Sequence, residues 1–211
     1  MREAKRDEGA AGPKWLEFTR LATVVLTVAV LAGLSPACDG GDDNGGGTNT
    51  IPCLRYESSG VPGAITVTTT DGEPDDDQCN FLYVDLMVHD VQDLFAANFV
   101  VTYPNNVVAF SAALGQGSFL GSDNTAVDVE ARLTDAGEVT IAVARLGAVT
   151  GIDVPDDGVG KRLLRLVFTR AASSGSGDLA FTTGELLDSS APPVEIPNSV
   201  WTGGTIGIIQ I

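Results

Sequence analysis

The chain of 211 residues has room for one sizeable domain plus processed or linking segments, and its 44% hydrophobic content excludes global disorder. Twenty-five glycines and only 6% aromatic residues point to many turns around a core with little ring packing. The formal charge of −16 excludes nucleic acid and anionic lipid as direct partners of the folded part, since both would be repelled.

The charge is unevenly spread. Arg2, Lys5, Arg6, Lys14 and Arg20 lead into an apolar run from Leu21 to Leu34. At about 14 residues that run is too short for a stable membrane-spanning helix. A basic stretch, a short apolar stretch and small residues before a cut define an export signal, which predicts a signal peptide over residues 1–37. Glu3, Asp7, Glu8 and Glu17 make the basic stretch longer and more mixed than usual. Ser35-Pro36-Ala37-Cys38 resembles a bacterial lipobox, with Ser35 where that motif prefers leucine. It also satisfies the small-x-small rule of the ordinary signal peptidase, and either cut leaves Cys38 first. The Gly- and Asp-rich stretch that follows reads as a flexible spacer, so residues 38–60 are expected to be a lipidated cysteine plus linker on a membrane-anchored envelope protein. From Cys38 onward seven basic residues face 24 acidic ones, a net of −17.

With Cys38 acylated, Cys53 and Cys79 remain as two thiols in an oxidising compartment. A disulfide between them would close a loop of about 26 residues and add about 3 kcal/mol; two separately buried thiols are the other reading. Between them, Asp71–Asp77 carries five carboxylates in seven residues. Calcium favours such oxygen-rich loops, and a solvated acidic turn is the alternative.

Beyond this point short alternating runs are broken by Gly, Asp, Asn and Pro, with no amphipathic helix. Strands are expected at Ile65–Thr70, Phe81–His89, Leu94–Tyr103, Val107–Leu114, Val127–Leu133, Glu138–Arg145, Leu163–Arg170, Leu179–Thr183, Glu185–Leu187 and Thr205–Ile211. Asp135-Ala136-Gly137 marks a hairpin between two of them. About nine strands with period-2 alternation predict an all-β, two-sheet sandwich of jelly-roll topology over residues 61–211. Val84, Leu86, Phe99, Val101, Ile141, Val143, Leu166 and Phe168 are its expected core.

Four stretches carry a family resemblance: LFAANFVVTYPNNVVAF (94–110), GEVTIAVARLGAVTG (137–151), VGKRLLRLVFTRAASSGSGDLAF (159–181) and ELLDSSAPPVEIPNSVWTGGTIGI (185–208). In strand order and turn residues they resemble the cohesin domain, the module of cellulosome scaffoldins that grips dockerin modules. The family's Tyr-Asp-Pro turn is here Tyr103-Pro104-Asn105, and Asn98 stands where some cohesins carry a dockerin-contacting aspartate. The resemblance implies a partner lying across strands near Ala96–Thr102, Val127–Leu133, Glu138–Arg145 and Leu179–Leu187. By alternation against Phe99 and Val101, the outward partner-binding residues are Ala96, Asn98, Val100 and Thr102. That set is small and uncharged, as the centre of a protein interface is.

No enzyme is expected. There is no G-x-S-x-G elbow, and the one histidine, His89, is read as a solvent-facing residue at a strand end. The jelly roll is shared with carbohydrate-binding modules, which keeps polysaccharide as the alternative partner to a dockerin-like protein; a purely structural surface role is third. Tyr83 and Trp201 are the rings nearest to a sugar platform, but they are scattered.

Overall fold

A computed structural model describes residues 50–72 and 79–211. The expected signal peptide, Cys38, the expected spacer up to residue 49 and most of the acidic run, residues 73–78, lie outside the described residues. The strands are β1 (Pro52–Ser58), β2 (Thr66–Asp71), β3 (Phe81–His89), β4 (Val91–Thr102), β5 (Val108–Leu114), β6 (Val127–Asp135), β7 (Glu138–Arg145), β8 (Ile152–Val154), β9 (Lys161–Arg170), β10 (Ser176–Asp188), β11 (Val200–Trp201) and β12 (Gly204–Gln210). A single 3-10 turn, Phe119–Gly121, follows β5.

These strands make two sheets packed as a sandwich. One runs β1-β12-β10-β4-β7-β6, with β8 pairing the start of β4; the other runs β11-β2-β3-β9-β5. Long connections cross between the sheets, as a jelly roll requires. All eight expected core residues are at most 1% exposed. Alternation along β3, β7 and β9 puts Val84, Leu86, Ile141, Val143, Leu166 and Phe168 on inward faces, where each large side chain adds about 1.5–3 kcal/mol by leaving water. Phe99 packs on Trp201 and Phe181 with ring centroids 5.1 and 5.9 Å apart, while Tyr103 meets Phe168 at 5.4 Å.

The structure corrects the expected boundaries in four places. Pro52–Ser58, read as linker, is an edge strand paired along its whole length with β12, so the domain starts earlier than residue 61. The short strands β8 and β11 went unread. Leu179–Thr183 and Glu185–Leu187 are one strand, because Gly184 does not break β10. A Cβ at Gly184 would stand 2.3 Å from the Trp201 indole, so the glycine makes room for the ring. Finally, β4 starts at Val91 rather than Leu94, and a bulge at Asp93, with φ +55, lets Val91 and Leu94 both face the core.

Cys53 and Cys79 are joined by a disulfide. It ties edge strand β1 of one sheet to the segment that enters β3 of the other.

Candidate docking face

Strand β4 lies inside its sheet, between β10 and β7, so its outward side chains form the middle row of a broad face. Register sets their neighbours. Asn98 stands between Glu185 of β10 and Ala142 of β7; Val100 stands between Thr183 and Thr140; Thr102 stands between Ala180 and Glu138. Ala96 stands between Leu187 and Ala144, but only 8% of it is exposed, so it supplies little contact surface. Val100 and Thr102 are half-buried and Asn98 is exposed. The Thr102 hydroxyl donates to the Ala180 carbonyl at 3.3 Å. The Asn98 carboxamide has no hydrogen-bond partner among the described residues, which leaves a donor and an acceptor free on the surface.

Charge returns at the margin. Across β7, β6 places Asp128 opposite Ala144, Glu130 opposite Ala142 and Arg132 opposite Thr140. Arg132 is exposed and makes no ion pair among the described residues. A shallow depression at this edge is lined in part by Glu130, Arg132, Thr134, Thr140 and Ala142. The result is a nearly flat, uncharged strip bounded by carboxylates and one free guanidinium. The sequence had missed Glu185, Ala142 and Arg132 as members of this face, although the hairpin at Asp135-Ala136-Gly137 fixes the β6–β7 register that places the last two.

Two polar nodes brace one end of this sheet, where β4 begins and β7 ends. At one, buried Arg145 holds Asp123 at 2.6 Å and Thr125 at 3.1 Å and donates to the Leu120 carbonyl; the guanidinium keeps Asp123 far below the usual carboxylate range. At the other, the Ser189 hydroxyl donates to Asp93 at 2.8 Å and the Gly151 amide at 2.9 Å, and these bonds, led by Ser189, lower the Asp93 pKa. Such ties hold the loops at that end in place.

The outer face of the other sheet is built differently. Asp85 receives a forked pair from Arg165 at 2.6 and 2.8 Å and a longer contact from Arg162 at 3.5 Å. Arg165 also lies over the Tyr83 ring, 5.4 Å from its centroid. His89 is buried rather than solvent-facing. Strand parity placed it correctly on the outward side, but residues 155–160 fold over it, which no alternation pattern can show. Burial lowers its pKa against the opposing pull of Asp157 and Asp156. Tyr56, buried with its hydroxyl on Thr69, is pushed up to about 12, chiefly by desolvation. The rings proposed for a sugar platform are both engaged: Trp201 in the Phe99–Phe181 cluster, Tyr83 beneath Arg165. Among the described residues no group of three or more His, Cys, Asp or Glu side chains is placed to hold a metal ion.

No protein-family profile matches the sequence, and no curated protein matches it. Solved structures do match. The second type II cohesin module from the adaptor ScaA scaffoldin of Acetivibrio cellulolyticus superposes with a TM-score of 0.50 at 9% identity, over 74% of this chain and 88% of that one. The domain has the cohesin fold. Two further matches are a cohesin module from a Clostridium perfringens family 33 glycoside hydrolase and a non-cellulosomal cohesin from Archaeoglobus fulgidus. The first has TM-score 0.43 at 15% identity, over 77% of this chain and 96% of that one. The second has TM-score 0.44 at 15% identity, over 72% and 88%. On this cohesin fold the four strand segments singled out from the sequence are β4, β6, β7 and β10, and they lie side by side in the order β10-β4-β7-β6.

Proposed function

We propose that the domain is a non-catalytic docking module that receives a protein partner on the outer face of β10-β4-β7-β6, displayed from the cell envelope by a lipid on Cys38. The observation that carries this reading is the uncharged centre of that face, Asn98, Val100, Thr140 and Ala142, on a domain whose net charge from Cys38 onward is −17. Charge depletion at the centre and charge at the rim are what protein interfaces present. The free Asn98 carboxamide supports it further, because a complementary partner group can replace the water that it bonds on the open surface. The sequence resemblance makes a dockerin-like module the partner class, and the assembly of proteins that act on polysaccharide the setting.

Asn98→Arg tests the face. A bulky charge at an interface centre costs several kcal/mol of binding, roughly a hundredfold or more in affinity, and on an exposed strand position it leaves the fold intact. Unchanged capture of partners from the native organism by the folded variant would remove this face as the site. Cys38→Ser tests the display: the variant is expected in the soluble fraction, and the parent protein is expected to take up labelled palmitate. Absence of label would assign the Ser35-x-Ala37 cut to the ordinary signal peptidase.

A further inference from the structure

His89 is the chain's one histidine, and it sits where β3 ends, under the loop that leads into β9. Its Nε2 lies 2.9 Å from the Thr68 hydroxyl of β2, while its Nδ1 is buried without a hydrogen-bond partner. The loop is pressed onto the ring. A Cβ at Gly160 would stand 2.4 Å from Cε1 and 2.6 Å from Nδ1, and Gly160 adopts φ +74, so only glycine allows this approach. The loop is held in shape by the Asp157 carboxylate, which accepts the Val159 amide at 2.9 Å and the Gly160 amide at 3.0 Å. Lys161 lies 3.8 Å from the other oxygen of Asp157.

We propose that His89 and residues 155–160 form a proton-operated latch, in which the neutral ring lets the loop lie on the sheet and a proton on Nδ1 lifts it. The neutral ring satisfies Nε2 through Thr68 and leaves Nδ1 as a bare acceptor, the less costly group to bury unpaired. Protonation turns Nδ1 into a charged donor with nothing to receive it. The groups around the ring are Thr66 and Thr68 from β2, Lys161 from the start of β9, Asp90 next in the chain, and Asp156 and Asp157 in the loop. Asp157 is the carboxylate that could answer the new charge, yet its Oδ1 already closes the loop's own turn. To turn toward Nδ1 it must release the Val159 and Gly160 amides; otherwise the ring must reach water. Either response lifts the loop. Asp157 itself stays ionised through this range, since the Val159 and Gly160 amides lower its pKa, so it is not the group that titrates.

The sign is set by burial. The open state binds the proton with the ordinary histidine value of 6.5 and the closed state binds it more weakly, so acid favours opening. The test is solution NMR on the untagged domain between pH 8 and pH 5. It follows the His89 ring signal together with exchange of the Val159 and Gly160 amides, corrected for intrinsic rates. Below 6.5, opening at these two amides is expected to rise by up to about tenfold per pH unit, the limit for one proton, while amides in β4 and β7 do not change. In His89→Gln, which keeps a polar side chain at Thr68 but cannot take up the proton, the dependence is expected to vanish. Exchange that stays flat while His89 titrates would overturn the latch, and so would an equal pH dependence in His89→Gln. Should that variant fail to fold, the parent's ring titration and amide exchange decide on their own.

Discussion

The two outer faces of the sandwich handle polar groups in opposite ways. On the β11-β2-β3-β9-β5 side, Asp85 bonds Arg162 and Arg165, Arg165 lies over Tyr83, and Thr68 bonds His89, so that apart from His89 Nδ1 and Arg162 Nε the donors and acceptors of these groups are largely consumed within the domain. On the β10-β4-β7-β6 side, small residues cover the centre, Asn98 is free, and the charged groups stand at the margin. A face whose polar groups already answer each other has little to offer a partner. A face that leaves an amide free on a flat, uncharged ground does. On the proposed reading, the location of unspent hydrogen-bonding capacity, rather than exposure alone, separates the scaffold face from the contact face.

The largest expected effect lies beneath both faces. Phe99→Asp puts an unpaired carboxylate among Trp201, Phe181 and the β4 core, and is expected to abolish cooperative unfolding and near-ultraviolet circular dichroism altogether. Asp85→Asn comes next. It leaves Arg162 and Arg165, at 31% and 25% side-chain exposure, without their carboxylate, and a loss of about 2 kcal/mol in denaturant unfolding is expected. If Asp85→Asn were neutral, the bonded face would not be structural and the contrast would fail. Gly184→Ala drives a methyl into the Trp201 indole and is expected to cost about 1–3 kcal/mol, with a shift in tryptophan emission. The smallest effect is the sharpest for the comparison: Asn98→Arg is expected to change stability by no more than about 0.5 kcal/mol. A large loss there would mean that Asn98 serves the fold and not a partner.

Much of this architecture was legible in the residues. The bounds of Phe81–His89 and Glu138–Arg145 are those of β3 and β7, because both runs alternate cleanly between Gly, Asp or Asn punctuation. The disulfide between Cys53 and Cys79 is the first of the two readings that the thiol count left open. What escaped has a shared cause: it depends on segments far away in sequence. Pro52–Ser58 reads as polar linker because an edge strand needs only one neighbour, and that neighbour, β12, lies at the other end of the domain. The burial of His89 depends on a loop some seventy residues later. Ala96 keeps the outward parity of Asn98, but between Leu187 and Ala144 of the neighbouring strands it is only 8% exposed, which alternation along β4 does not show. The central row of the proposed contact face was readable from β4 alone; its flanks needed the register of β10 and β6.

The disulfide has a mechanical consequence. A pull on the chain ahead of Ile51 would, without it, be taken by β1, whose bonds to β12 would yield one after another from the end, like a zip. With Cys53 bonded to Cys79, tension passes through a covalent link into the start of β3 within the opposite sheet, and all of β1 beyond Cys53 is shielded from it. Force arriving from the N-terminal side is thereby shared between both sheets, and a reducing agent would convert the same domain from one that holds under traction to one that frays.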